Sequence, residues 1–336
     1  MVKLTGIMDS TEAQVTPAPP SLMRSLKAGF DAVSNHIGLI LFSVLLDVFL
    51  WLGPHISLQP LFQSILDGME ALASDTPGQA DILKMNKDAL LALGERFNLL
   101  SLLRTYPVGI PSLMVSRSPL EIPGGFPAVI NIASPAAAFG LWLVLGLIGL
   151  TAGTLYFALI AQAVLYDGFD WRFSLASWPW ASLQVVFLAL FFIALFLGIS
   201  IPFSCMLTLM LMSGLGQGQL PMLLLGGIFG WLLLPLVFSP HGIFVHRKTM
   251  WSSLWDSIRI TRMTLPATGL FLLLALVISE GFDMLWVVPA ENSWWTIVGV
   301  FGHAFITSGL LAASFAYYND AHRWVQALLQ KARRPR

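Results

Sequence analysis

Charge is scarce in this chain. Of its 336 residues, 11% are Asp, Glu, Lys or Arg and 56% are hydrophobic. Soluble domains carry about 25% charged residues, so a water-facing surface could not be covered. Net charge is zero, which gives a polyanionic partner no support. Cys205 is the one cysteine, excluding an internal disulfide and a cysteine-based zinc site. No Asn-x-Ser/Thr sequon occurs, and H-E-x-x-H, G-x-S-x-G, a P-loop and G-x-G-x-x-G are all missing. Gly214-Leu215-Gly216-Gln217-Gly218 lacks the spacing for a nucleotide loop. These absences predict no enzyme, cofactor, metal or nucleic-acid partner.

Long apolar runs are abundant. A helix crossing roughly 30 Å of hydrocarbon needs about 20 mostly apolar residues. Six segments meet or approach this: Ile37 to Trp51 (extendable to His55), Ala136 to Tyr166, Ser182 to Met212, Leu220 to Val245, Leu265 to Ile278 (extendable to Val288), and Trp294 to Tyr318. The first is the least hydrophobic and reads as a signal anchor, with about 35 residues before it. The third is longer than a crossing requires and contains Pro202. It predicts a kinked helix; a span followed by a re-entrant piece is the alternative. The expected class is therefore all-α, a polytopic transmembrane bundle of about six spans arranged as three hairpins.

Basic residues orient it. With the N-terminus inside, 13 of the 18 Lys and Arg fall on the inner side, as retention of positive charge requires. The other five lie in one long outer loop. The expected location is the inner (plasma) membrane, multi-pass, with both termini cytoplasmic.

The domain reading follows. Residues 1–20 form a disordered cytoplasmic tail. Residues 21–55 hold an interfacial helix and the first span. Residues 56–135 are the extracytoplasmic loop region, with two amphipathic helices (Leu61 to Leu72; Ile82, Met85, Leu90, Leu93 and Phe97) and an irregular Pro/Gly-rich end. Residues 136–318 form a five-span bundle including an amphipathic helix at 249–264. Residues 319–336 are a basic cytoplasmic tail.

Leu22, Leu26, Phe30, Val33 and Ile37 recur at helical spacing opposite Arg24 and Lys27. Trp251, Leu254, Trp255, Ile258 and Arg262 share a second face, with Arg259 nearby. Both stretches read as amphipathic helices against an anionic inner leaflet or the bundle's ends. The membrane-surface set is Arg24, Lys27, Trp251, Trp255, Arg259 and Arg262.

Intramembrane polar residues are the candidate functional groups, because a charged Asp at mid-bilayer costs about 2.5–3.5 kcal/mol on insertion scales. His36, Ser43 and Asp47 share one face of the first span; His303, Thr307, Ser314 and Tyr318 share one face of the last. Two readings stand for Asp47 and His303: a common polar pathway for a substrate or ion (Asp47, His303, Ser43, Thr307 and Tyr318), or separate structural hydrogen bonds. Gln162, Tyr166, His241 and His246 line the cytoplasmic mouth; His241 and His246 are too poorly spaced for a metal. Glu280 and Asp283 read as a solvated helix end. Gly149-Leu150-Thr151-Ala152-Gly153 and Gly226-Gly227-Ile228-Phe229-Gly230 predict close helix packing.

Ser25-Leu26, Ser174-Leu175 and Ser253-Leu254 each open a cytoplasmic segment leading into a span, a weak threefold repeat. Trp251-Ser252-Ser253-Leu254-Trp255-Asp256-Ser257-Ile258-Arg259, then Leu270 to Val277, and Ala316-Tyr317-Tyr318-Asn319-Asp320 resemble the superfamily that includes the membrane domain of glycerophosphodiester phosphodiesterases. Leu46 to Pro54 looks like the first span of uncharacterised bacterial membrane proteins. The resemblance covers the C-terminal third well and the rest loosely. It implies the bundle; without the catalytic domain it implies no phosphodiesterase activity.

The functional expectation is a non-enzymatic accessory or envelope-organising membrane protein, whose contacts are the lipid bilayer and a candidate membrane-protein partner. The alternative is a small-molecule or lipid transporter using the interior around Asp47 and His303.

Overall fold

The computed structural model describes residues 18–73, 87, 91–92, 94–166, 168, 170–212 and 220–333. The N-terminal tail, most of the expected second outer helix and the Gly214–Gly218 segment lie outside these. The chain folds into helices α1 (Leu22–Asn35), α2 (Leu41–Leu52), α3 (Gln59–Ala73), α4 (Leu113–Arg117), α5 (Pro135–Tyr166), α6 (Trp171–Met212), α7 (Leu220–Leu233), α8 (Ser239–His246), α9 (Met250–Met263), α10 (Leu265–Trp286) and α11 (Thr296–Arg333). One short parallel pair, β1 (His55–Ser57) and β2 (Val129–Asn131), joins the two ends of the outer loop.

Among the described residues, five helical stretches are long and apolar enough to cross a membrane, or six if one bent pair is counted as a single span. In that pair, α1 and the segment Ile37–Leu52 meet at 91°. The break falls at His36, whose Nδ1 and backbone N–H both turn back to Ala32 O. At 1.5 Å per residue the segment after the bend is about 24 Å long, short of a full crossing.

Segment α6 is one continuous helix through Pro202. It begins 11 residues before the expected span start at Ser182, because its lead-in segment is continuous with the span. Leu190, Phe196, Leu197 and Ile201 on it are exposed, as are Leu270, Leu273, Leu276 and Val277 on α10. Such apolar surface is suited to hydrocarbon and would not persist in water.

The three lead-in segments obey one packing rule. The start of α6 packs on α5, α9 packs on α8, and α1 packs on α11. Each lead-in therefore lies on the returning helix of the hairpin before it, and α1 closes the ring on the last. The repeated serines Ser25, Ser174 and Ser253 are all buried. At the centre, α5, α8 and α11 contact one another. Each contributes one ring to a cluster, Phe157, Phe244 and Phe315, with centroids 5.7, 6.0 and 6.2 Å apart. The weak sequence repeat thus corresponds to a three-part arrangement.

Two expectations change in detail. The buried strip of α1 is Ser25, Leu26, Gly29, Ala32 and Val33, while Ile37 is exposed. The strip is turned toward small residues because α1 approaches α11 at backbone distance. The last helix also continues through Arg333. Beyond Tyr318 it is held by burial of Ala321 and Val325 and by Arg24, whose guanidinium pairs with Asp320 at 3.0 Å. That pair puts the start of α1 and the far part of α11 on one face, the basic face. The outer loop covers the opposite face, the cap face.

Candidate functional site

Asp47 is buried on α2, and its carboxylate faces the outer loop. Ser112 Oγ donates to it at 2.5 Å, Leu113 N at 3.1 Å and Met114 N at 3.0 Å. Those donors are the first turn of α4, where backbone N–H groups have no intrahelical acceptor. A carboxylate there satisfies two of them and meets the positive end of the helix. Ser112 also caps within the turn, accepting from Val115 N at 3.2 Å.

The outer loop is seated among the helices. Leu99, Leu100, Val108, Ile110, Leu113 and Met114 are buried. Backbone at this depth must find internal partners. Asn98 Oδ1 accepts from Ile56 N and Leu100 N, and Arg104 donates to Ser112 O at 3.3 Å. Arg117 donates to Pro289 O and reaches Thr296 Oγ1. Burial pulls the Arg117 pKa down, and the Glu291 carboxylate pushes it back up. Glu291 is a second hub: its carboxylate accepts from Leu120 N at 3.0 Å and lies 3.7 Å from Arg96, while its carbonyl accepts from Trp51 Nε1. Gly149 and Gly153 pack here too. A Cβ on Gly153 would lie 2.8 Å from Gly109 Cα, and one on Gly149 2.5 Å from Leu103 O. This small-residue motif receives the loop and does not pack another span. Gly226, Gly227 and Gly230 have open space where a Cβ would be.

His303 turns to α10, where its Nδ1 lies 2.7 Å from Asp283 Oδ1. Asp283 is therefore a hydrogen-bond partner of His303 and not only a solvated helix end. Among the described residues no hydrogen bond joins Asp47 and His303. Thr307 Oγ1 donates to the His303 carbonyl of its own helix. Ser43 is buried beside the Tyr156 hydroxyl. Tyr318 is about 22 Å along α11 from His303, so the five proposed pathway residues do not form one cluster. A double-mutant cycle in the detergent-purified protein should show this: Asp283→Asn with His303→Ala should couple by about 0.5–3 kcal/mol. Asp47→Asn with His303→Ala should couple less.

Tyr318 belongs to a polar cluster at the basic face. His246 and His322 have ring centroids 4.1 Å apart, and Tyr318 lies 6.0 and 5.9 Å from them. Lys248 pairs with Asp256 and lies 3.2 Å from His322 Nε2. His241 is buried beside them and meets Ser314 Oγ at 2.8 Å. Asp256 and His322 were not legible as site residues, because 66 residues separate them and only the packing of α9 on α11 unites them. Among the described residues no set of three or more His, Cys, Asp or Glu is arranged to hold a metal.

Gln162, Tyr166 and His246 line a cavity of about 260 Å³ between α5, α6 and α8 at the same face. His241 does not line it. Of the membrane-surface set, Lys27, Trp251, Trp255, Arg259 and Arg262 are exposed, and Arg24 is tied to Asp320. No family model, curated protein or solved structure matches this chain.

Proposed function

We propose that this protein is a non-enzymatic integral membrane protein that holds a rigid cap at one membrane surface for an accessory or envelope-organising role. Its place is the inner (plasma) membrane, with the basic face and both termini cytoplasmic and Lys27, Trp251, Trp255, Arg259 and Arg262 against the inner leaflet. One observation carries the reading: the Asp47 carboxylate is spent on Ser112, Leu113 and Met114. A carboxylate so engaged anchors a loop, and to carry an ion it would first have to release three donors. The cap also offers a partner something to hold. Phe126 and Ile130 are exposed on it, and all three residues of β2 are exposed. A short open strand with apolar neighbours is a docking edge.

The competing transporter reading needs water beside Asp47 and His303. Single cysteines replacing Ser43 and Thr307, in a Cys205→Ser background, separate the two. A membrane-impermeant thiol reagent is applied from the cap side, with a cysteine at Lys87 as the accessible control. Labelling at 87 alone is the expected result. Labelling at 43 and 307 at rates near the control would replace the scaffold reading with a solvated pathway.

A further inference from the structure

The cavity at the basic face has an uneven lining. Phe173, Trp178 and Phe244 form much of its wall, and Gln162, His246 and Arg247 supply polar groups. Gln162 is occupied, donating to Ser174 Oγ at 2.7 Å and accepting from Asp170 N at 3.1 Å. His246 Nε2 is buried and has no hydrogen-bond partner among the described residues. Arg247 is exposed, and its guanidinium lies over the Phe173 ring, 5.2 Å from the centroid. Among the described residues it pairs with no carboxylate. Its neighbour Lys248 differs, being neutralised by Asp256.

Backbone geometry sets this placement. Arg247 ends α8 in the left-handed conformation, φ 50°. That is an uncommon state for a residue with a side chain. Asp170, on the adjoining rim, caps α6, where its Oδ1 accepts from Phe173 N at 3.0 Å. Among the described residues the cavity therefore presents a guanidinium with no carboxylate partner, set against aromatic walls.

We propose that this cavity binds a phosphate group, that of an anionic phospholipid headgroup, with Arg247 as its principal contact. Guanidinium matches phosphate oxygens through paired donors. Aromatic side chains at this level suit the headgroup layer, and basic pockets between transmembrane helices bind anionic headgroups. Ligand pockets usually run from about 300 Å³ upward. A cavity of about 260 Å³ therefore takes a headgroup and leaves the acyl chains in the bilayer. The proposal does not depend on the cap and would survive the loss of the scaffold reading.

The test is native mass spectrometry of the purified full-length protein, delipidated and re-equilibrated with phosphatidylglycerol or phosphatidylcholine. The wild type should retain one phosphatidylglycerol at least tenfold more tightly than phosphatidylcholine. Arg247→Gln should abolish that preference, Arg247→Lys should keep part of it, and Lys331→Gln, exposed on the far part of α11 outside the cavity, should leave it intact. Thermal melting with 10 mM inorganic phosphate (an amount chosen to be roughly saturating for a weak anion site) distinguishes the source. No Arg247-dependent shift is expected; a shift without lipid preference would overturn the lipid assignment in favour of free phosphate. Equal retention by wild type and Arg247→Gln, or equal loss in Lys331→Gln, would overturn the site itself.

Discussion

Replacing Asp47 with alanine is expected to release the cap from the bundle. The substitution removes one side chain and strands three donors: Ser112 Oγ, Leu113 N and Met114 N. Ser112 can turn elsewhere, but the two backbone N–H groups cannot leave the first turn of α4. Each buried donor left unmade costs about 1–3 kcal/mol, so a loss of about 3 kcal/mol or more is expected. Asp47→Asn should fall between. Its carbonyl oxygen replaces one acceptor, while its amide points a donor at donors. Limited proteolysis of the purified protein reads the effect, through cleavage at Arg104 and Arg117. Both sites should be cut fastest in Asp47→Ala and slowest in wild type. Equal rates in all three would mean that the apolar contacts of Leu113 and Met114 hold the cap unaided.

That prediction also measures how far the sequence could be read. An aspartate inside an apolar run announces itself, because its insertion cost demands a compensating contact. The partner does not announce itself. Ser112 to Met114 lie 65 or more residues away, in a stretch whose prolines and glycines read as irregular surface. His303 was visible for the same reason as Asp47, and its actual partner, Asp283, was visible only as a helix end. Composition identified the spans that lipid surrounds, since α6 and α10 are apolar on nearly every side. It was a weaker guide where protein replaces lipid. The segment after the His36 bend is short because α11 and the seated loop surround it. The helix beyond Tyr318 looked like a basic tail because its buried contacts, Ala321 and Val325, are too sparse to form a pattern.

The ring of lead-in helices suggests why that tail is ordered and which contact matters most there. Two of the features that join α1 to α11 can be set against each other: the Arg24 to Asp320 pair and the close approach at Gly29. The pair is a surface one, with the arginine side chain 57% exposed. Exposed pairs contribute about 0–1 kcal/mol, so Arg24→Ala should change little. Gly29 is different. A Cβ built there would lie 2.6 Å from Gly309 O and 2.5 Å from Ala313 Cα. These are backbone atoms of a helix, and no rotamer change can move them. Across the same contact, Gly309 carries the Phe30 ring, which a Cβ would meet at 2.5 Å.

Gly29→Leu should therefore unseat α1 as a whole. Overpacking commonly costs about 1–3 kcal/mol and sometimes more; a clash with fixed backbone belongs at the upper end. Trypsin cleavage at Arg24 and Lys27 of the purified protein should rise at least tenfold in Gly29→Leu and stay near wild type in Asp320→Ala. Gly29→Ala should lie between, since a methyl group requires a smaller retreat. If Asp320→Ala instead frees α1 as fully as Gly29→Leu, the ion pair holds the helix, and the small-residue strip merely tolerates it. If the glycine dominates, the ring closes by backbone contact, and the end of α11 stays helical because α1 covers it.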